Sequence, residues 1–132
     1  MEYINHQTTN MNKPDIIRSY IAYLQEGDMD KVIGLFSIEN TVRSPVYGDM
    51  PAQEFYTILA SDTDESILQL HSILHDNHTD TYAVYFNYKW RVSNGDLIDF
   101  DVVDIIEFDK KSKIKSLKII YDASKTKDRV GR

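Results

Sequence analysis

Residues 97–108 read LIDFDVVDIIEF, and this stretch decides the fold. Taken alternately, it separates into a row of Phe100, Val102, Asp104, Ile106 and Phe108 and a row of Asp99, Asp101, Val103, Ile105 and Glu107. A period of two is that of a β-strand, here with one face buried and the other partly solvated. The exception is Asp104, a carboxylic acid in the middle of the apolar row. Burying a carboxylate without partners is costly, so Asp104 is expected to be protonated, paired, or set in a water-filled cavity. A side chain that ties two elements together by hydrogen bonds would fit the same pattern.

Working outward, Asn94-Gly95 forms a hairpin signal joining this strand to Thr81–Val92, and Asp109–Lys113 joins it to Ile114–Tyr121. The neighbouring strands supply matching inward rows: Tyr82, Val84, Phe86, Tyr88 and Trp90 on one side, Leu117, Ile119 and Tyr121 on the other. A sheet face holds one acid among these side chains if it curves around a pocket, which makes Val84, Phe86, Tyr88, Val102, Leu117, Ile119 and Tyr121 candidate ligand contacts. A filled aromatic core has the same composition. Upstream, Ile67–His75 fits a helix and a strand equally.

The first half of the chain is helical in pattern. Pro14 and Asp15 suit a first turn, and Ile16, Ile17, Tyr20, Ile21 and Leu24 follow at helical spacing. Gly27 is placed as a C-cap and Asp28 as the N-cap of a second helix carrying Met29, Val32, Ile33 and Phe36. Asn40–Arg43 is a short β-favouring piece that stops at Pro45. PAQEFYTILA, from Pro51, is a third helix with Phe55, Ile58 and Leu59 inward. Three helices followed by a four-stranded antiparallel meander make an α+β fold, with the helices on one face of a curved sheet. The 132 residues are expected to form a single domain with an ordered core of about 14–122, a polar N-terminal arm and a loose basic tail.

Composition narrows the function. A formal net charge of -6 argues against nucleic acid as a partner. The absence of cysteine excludes disulfides, thiolate metal sites and cysteine nucleophiles. No apolar run approaches a membrane span, and the first residues lack the pattern of a secretory signal, so a cytoplasmic protein is expected. His71, His75 and His78 invite a metal reading: on a helix His71 and His75 would stand at the i, i+4 spacing of some zinc sites, whereas on a strand they would share a face about 13 Å apart. The chain's resemblance to a known family favours the strand, so no metal is expected, and no cofactor. A histidine facing the cavity as an acid or base stays open. Ala83, Tyr85, Val103 and Ile105 leave the outer sheet face apolar, which predicts a homodimer.

Two stretches, YIAYLQEGDMDKVIGLFSIENTVRSPVYG (20–48) and FDVVDIIEFDKKSKIKSLKIIYD (100–122), resemble the SnoaL-like proteins of the nuclear transport factor 2-like superfamily, which also holds ketosteroid isomerase. The resemblance covers about residues 14–122. It implies a cystatin-like, conical half-open barrel: a curved, mostly antiparallel sheet wrapped around the N-terminal helices. It also implies that Tyr20 and Asp104 match the isomerase's oxyanion-stabilising tyrosine and protonated aspartic acid, while its proton-moving aspartate falls at Ser44. Serine cannot act as that base unaided. Two functions follow as expectations. One is isomerase-, cyclase-, lyase- or hydrolase-like chemistry on a small, largely apolar carbonyl compound, with Tyr20, Asp104 and Ser44 in the site. The other is a non-catalytic ligand-binding or protein-interaction module of the same fold.

Overall fold

The computed structural model describes residues 12–126; the expected N-terminal arm lies outside the described residues. Helix α1 (Lys13–Glu26) begins where the Asn12 side chain accepts the Asp15 N–H at 2.9 Å and ends at Gly27, whose φ of 76° is the left-handed conformation that glycine adopts without strain. Its buried stripe is the expected one: Ile16, Ile17, Tyr20, Ile21 and Leu24.

Helix α2 (Met29–Ile33) is shorter than expected, and Phe36 opens strand β1 (Phe36–Ser44) instead of extending the helix. Apolar spacing at 29, 32, 33 and 36 suits a helix, but long-range pairing wins. The Leu35 carbonyl accepts the Ile114 N–H at 2.9 Å, and β1 then runs parallel to β6 (Ile114–Ile120). A three-residue strand β2 (Gly48–Met50) folds back on β1, and helix α3 (Ala52–Ser61) follows with Pro51 as its N-cap. On α3 the buried residues include Phe55, Tyr56 and Leu59; Tyr56, not Ile58, turns inward.

Strands β3 (Thr63–Asp76), β4 (Thr81–Val92) and β5 (Leu97–Phe108) complete the sheet with β6. The ambiguous segment is thus a strand, paired with β4 along its length. The expected four-stranded meander is part of a six-stranded sheet ordered β2-β1-β6-β5-β4-β3, antiparallel except at β1–β6. Its two edge strands do not meet, so the barrel stays open. The Gln25 side chain of α1 accepts the Leu68 N–H at 2.8 Å, which pins the helix to edge strand β3. Among the described residues no helix is long and apolar enough to cross a membrane.

Two local expectations are corrected. The register of β3 shifts between Leu70 and Ser72, leaving His71 unpaired in a bulge. The inward phase therefore changes, and His71 packs on outward Tyr85 (4.8 Å between ring centroids) while His75 stacks on inward Tyr82 (4.3 Å). They lie on opposite faces instead of sharing one. After Asp122 the tail is ordered rather than frayed through the last described residue. Its Ala123–Lys125 form a 3-10 turn capped by the Asp122 side chain, and Thr126 is buried.

Candidate functional site

Strict alternation along β5 brings Phe100, Val102 and Asp104 onto the concave face. They meet Phe86, Tyr88 and Trp90 of β4 across the sheet, and Leu24 of α1 and Phe55 and Leu59 of α3 from the helical side. Between them lies a cavity of about 40 Å³. Ser44, Tyr47, Ile119 and Tyr121 line it as well and are only half-buried, so they form its mouth.

Asp104 is 1% exposed and sits on the cavity wall, facing the direction its row-mates dictate. Val84 and Ile119 flank it in the sheet. One rung further in, Tyr82, Ile106 and Leu117 are packed solid, so Asp104 marks the cavity floor. Both of its carboxyl oxygens are buried without a hydrogen-bond partner. Burial holds the carboxyl well above the ordinary carboxylate range, because the charged form would be desolvated.

Two tyrosines stand nearby. The Tyr20 and Tyr56 hydroxyls are 2.6 Å apart, fully buried, with their rings edge to face at 6.2 Å. Burial raises both phenols well above their usual value. For Tyr20, Tyr56 and then Asp104 push further up; for Tyr56, the bond to Tyr20 pulls down while Asp104 pushes up. Asp104 is expected within hydrogen-bond reach of Tyr20 or of a bound ligand; its carboxyl makes no bond to Tyr20, whose hydroxyl is paired with that of Tyr56. In such a pair one hydroxyl donates to the other, which leaves the second hydroxyl's hydrogen available. A neutral Asp104 supplies another O–H. The cavity can thus present two donors to one ligand oxygen in a dry, aromatic setting, where such bonds are strong.

Further along, Tyr88 shares a 2.8 Å hydrogen bond with buried Ser66 and stacks on Phe100 at 5.5 Å and 24°. The Ser44 hydroxyl oxygen accepts the Tyr47 N–H at 2.9 Å, so one of its two lone pairs is committed to a turn. Of the expected ligand contacts, Phe86, Tyr88, Val102, Ile119 and Tyr121 line the cavity; Val84 and Leu117 do not, being fully buried in the packed core beside and below Asp104. None of the three histidines lines it. Tyr56 was missed because a tyrosine beside Phe55 on an amphipathic helix carries no signal beyond core packing.

No protein-family model matches the chain, and no curated protein does. Solved structures do. An NTF2-like protein of unknown function from Exiguobacterium sp. 255-15 superposes with a TM-score of 0.72 at 17% identity, over 83% of this chain and 99% of that one. SalBIII, an epoxide hydrolase/cyclase-like enzyme with a role in pyran ring formation in the polyether salinomycin, gives 0.73 at 16% identity, over 86% and 92%. TerC, co-crystallized with polyporic acid, gives 0.75 at 12% identity, over 91% and 98%. These likenesses establish architecture, and the chain has the nuclear transport factor 2-like fold, a curved sheet folded around its N-terminal helices.

Proposed function

We propose that the cavity binds a small, largely apolar molecule through one carbonyl, enol or phenol oxygen, held by Asp104 and the Tyr20–Tyr56 pair. The observation that carries this reading is the buried carboxyl with neither oxygen partnered. A buried polar group left without a partner costs about 1–3 kcal/mol, a cost that a ligand oxygen or a water in the cavity offsets. Neutral Asp104 acts as a proton or hydrogen-bond donor, and the tyrosine pair stabilises negative charge developing on the same oxygen. That supports isomerase-, cyclase- or lyase-like chemistry on a carbonyl compound, the class suggested also by the epoxide hydrolase/cyclase-like fold relative.

Ser44 supports a second reading. It stands where the resemblance puts a base, and Asp104 is the sole carboxyl on the cavity lining among the described residues. A pocket with donors and no base binds without turning over, as a non-catalytic module.

Trp90, the only tryptophan, lines the cavity and reports occupancy by its fluorescence. Titration with 2-naphthol should quench it in the wild type and not in Asp104→Leu; equal quenching in both would refute the assigned contact. Ser44→Asp should add weak isomerisation of a β,γ-unsaturated ketone. A folded Ser44→Asp protein with no gain in rate favours the binding module.

The outer sheet face supports a homodimer as the assembly. Rows Leu74–Ala83–Ile105 and Tyr85–Val103–Ile120 leave Leu74 59%, Tyr85 38% and Ile120 45% exposed side by side. Sedimentation at tens of micromolar should give twice the chain mass, and Tyr85→Lys half of that; a monomer in the wild type would overturn it.

A further inference from the structure

Moving a proton between carbons needs a group that accepts it as well as donors to the carbonyl oxygen. Asp104 and the Tyr20–Tyr56 pair are such donors, and burial keeps the proton on Asp104. The other hydroxyls of the lining differ in what they face. Tyr20 and Tyr56 bond each other and Tyr88 bonds Ser66, so each is paired with another hydroxyl. Tyr47 instead donates its proton to a carboxylate, Asp62 Oδ2, at 2.6 Å.

The fold fixes both partners of this bond. Tyr47 lies in the turn between β1 and β2, where Ser44 Oγ accepts its N–H at 2.9 Å. Its ring packs edge to face on Phe55 of α3 at 5.5 Å. Asp62 is the C-cap of α3: its N–H reaches the Ile58 and Leu59 carbonyls, and its own carbonyl accepts the Ser93 N–H at 2.8 Å. The next residue, Thr63, accepts the Trp90 indole N–H at 2.8 Å, which sets this corner behind the Trp90 wall of the cavity. Asp62 is half-buried and does not itself line the cavity; the Tyr47 phenol stands between them.

We propose that Tyr47 is the catalytic base of the cavity, relaying its own proton to Asp62. A ligand oxygen held at the Asp104 floor directs the carbons beside it toward the mouth, where Tyr47 stands. The C–H bond next to the carbonyl breaks, and its proton passes to the Tyr47 oxygen as the Tyr47 O–H proton passes to Asp62 Oδ2. The C–H electron pair becomes the C=C bond of an enolate. The charge that collects on the carbonyl oxygen is held by Asp104 and the tyrosine pair. The reverse relay returns a proton to the same carbon or to one conjugated with it, so nothing is consumed. Asp62 acts only through Tyr47, as a positioning residue and proton store. This inference rests on the carbonyl-binding role proposed for the cavity, and it supplies the base that the binding-module reading lacks.

Deuterium exchange into 2-tetralone, followed by proton NMR in D2O, tests it alongside Trp90 quenching by 2-naphthol, which has the outline of the 2-tetralone enol. The wild type should exchange the protons next to the carbonyl faster than buffer does. Tyr47→Phe removes the relay oxygen; Asp62→Asn keeps the shape and an acceptor oxygen but takes up no proton. Each should lower kcat for exchange about a hundredfold, the ordinary contribution of a general base, with KM and the 2-naphthol Kd near those of the wild type. An unchanged kcat in either variant, or an effect confined to KM, overturns the relay. A wild type that is quenched by 2-naphthol but exchanges no faster than buffer overturns it too and leaves the binding reading standing. No quenching of the wild type overturns both.

Discussion

Two aspartates in this fold have opposite surroundings. Asp80, in the β3–β4 turn, is exposed and doubly partnered: Lys13 Nζ of α1 lies 2.7 Å from one oxygen and His75 Nε2 2.6 Å from the other. Asp104, midway along β5, is buried and has no partner. The hydrogen bonds from Lys13 and then His75 hold the Asp80 carboxyl below its ordinary value, whereas burial holds that of Asp104 far above. The first arrangement fastens the start of α1 to a hairpin through both carboxyl oxygens. The second weakens the fold and leaves every donor and acceptor site of the carboxyl open. The Asp80 carboxyl is partnered on each oxygen, and the Asp104 carboxyl on neither.

The largest expected effect is on the pH dependence of stability. In the unfolded chain Asp104 ionises near the ordinary aspartate value, while burial in the fold makes it hold its proton to higher pH. The folded form then binds the extra proton, so stability falls as pH rises above about 4, by about 1.4 kcal/mol per pH unit, until the folded carboxyl itself ionises. Asp104→Asn lacks this slope. Urea denaturation of both proteins between about pH 4 and 8 should show the variant gaining on the wild type as pH rises. A gap that does not change with pH would erase the contrast with Asp80.

A smaller effect belongs to the tyrosine pair. Tyr20→Phe or Tyr56→Phe leaves the surviving buried hydroxyl unpaired and should cost about 1–3 kcal/mol. The double variant should cost less than the sum, because the second change removes a group already stranded. Additive losses would show that the two hydroxyls are not coupled.

The smallest effect is at the exposed clamp. The stabilisation from Asp80 is fully present above the unfolded value near 3.8 and is lost as pH falls through its lowered folded value. Asp80→Asn should therefore lower the melting temperature slightly at neutral pH, with the difference vanishing in acid and shrinking in high salt. A difference that grew toward acid would reverse the assigned sign.

The sequence was legible in proportion to how local each signal is. Asp104 could be placed from its strand alone, because alternation on β5 is unbroken over twelve residues. The inward stripe of α1 was equally plain. Tyr20 and Ser44 had meaning only through the resemblance, since a tyrosine on a helix stripe and a serine before a proline are unremarkable by themselves. Tyr56 and its 2.6 Å bond to Tyr20 join two helices through residues 36 positions apart and left no local trace. The bulge at His71 reversed the phase of β3 without any glycine to announce it, and Phe36 was drawn into β1 by its parallel partner β6. The buried Thr126 followed a polar tail that read as loose.

The account stands or falls on the ionisation state of Asp104, and carbon NMR of the carboxyl groups measures it directly. With the aspartates labelled and the Asp104 signal assigned by its loss in Asp104→Asn, a pH titration should show this carboxyl still protonated at neutral pH, while that of Asp80 ionises below the ordinary value. An Asp104 midpoint at or below about 4 would mean a solvated or paired carboxylate, and the open, neutral acid on the cavity floor would be contradicted.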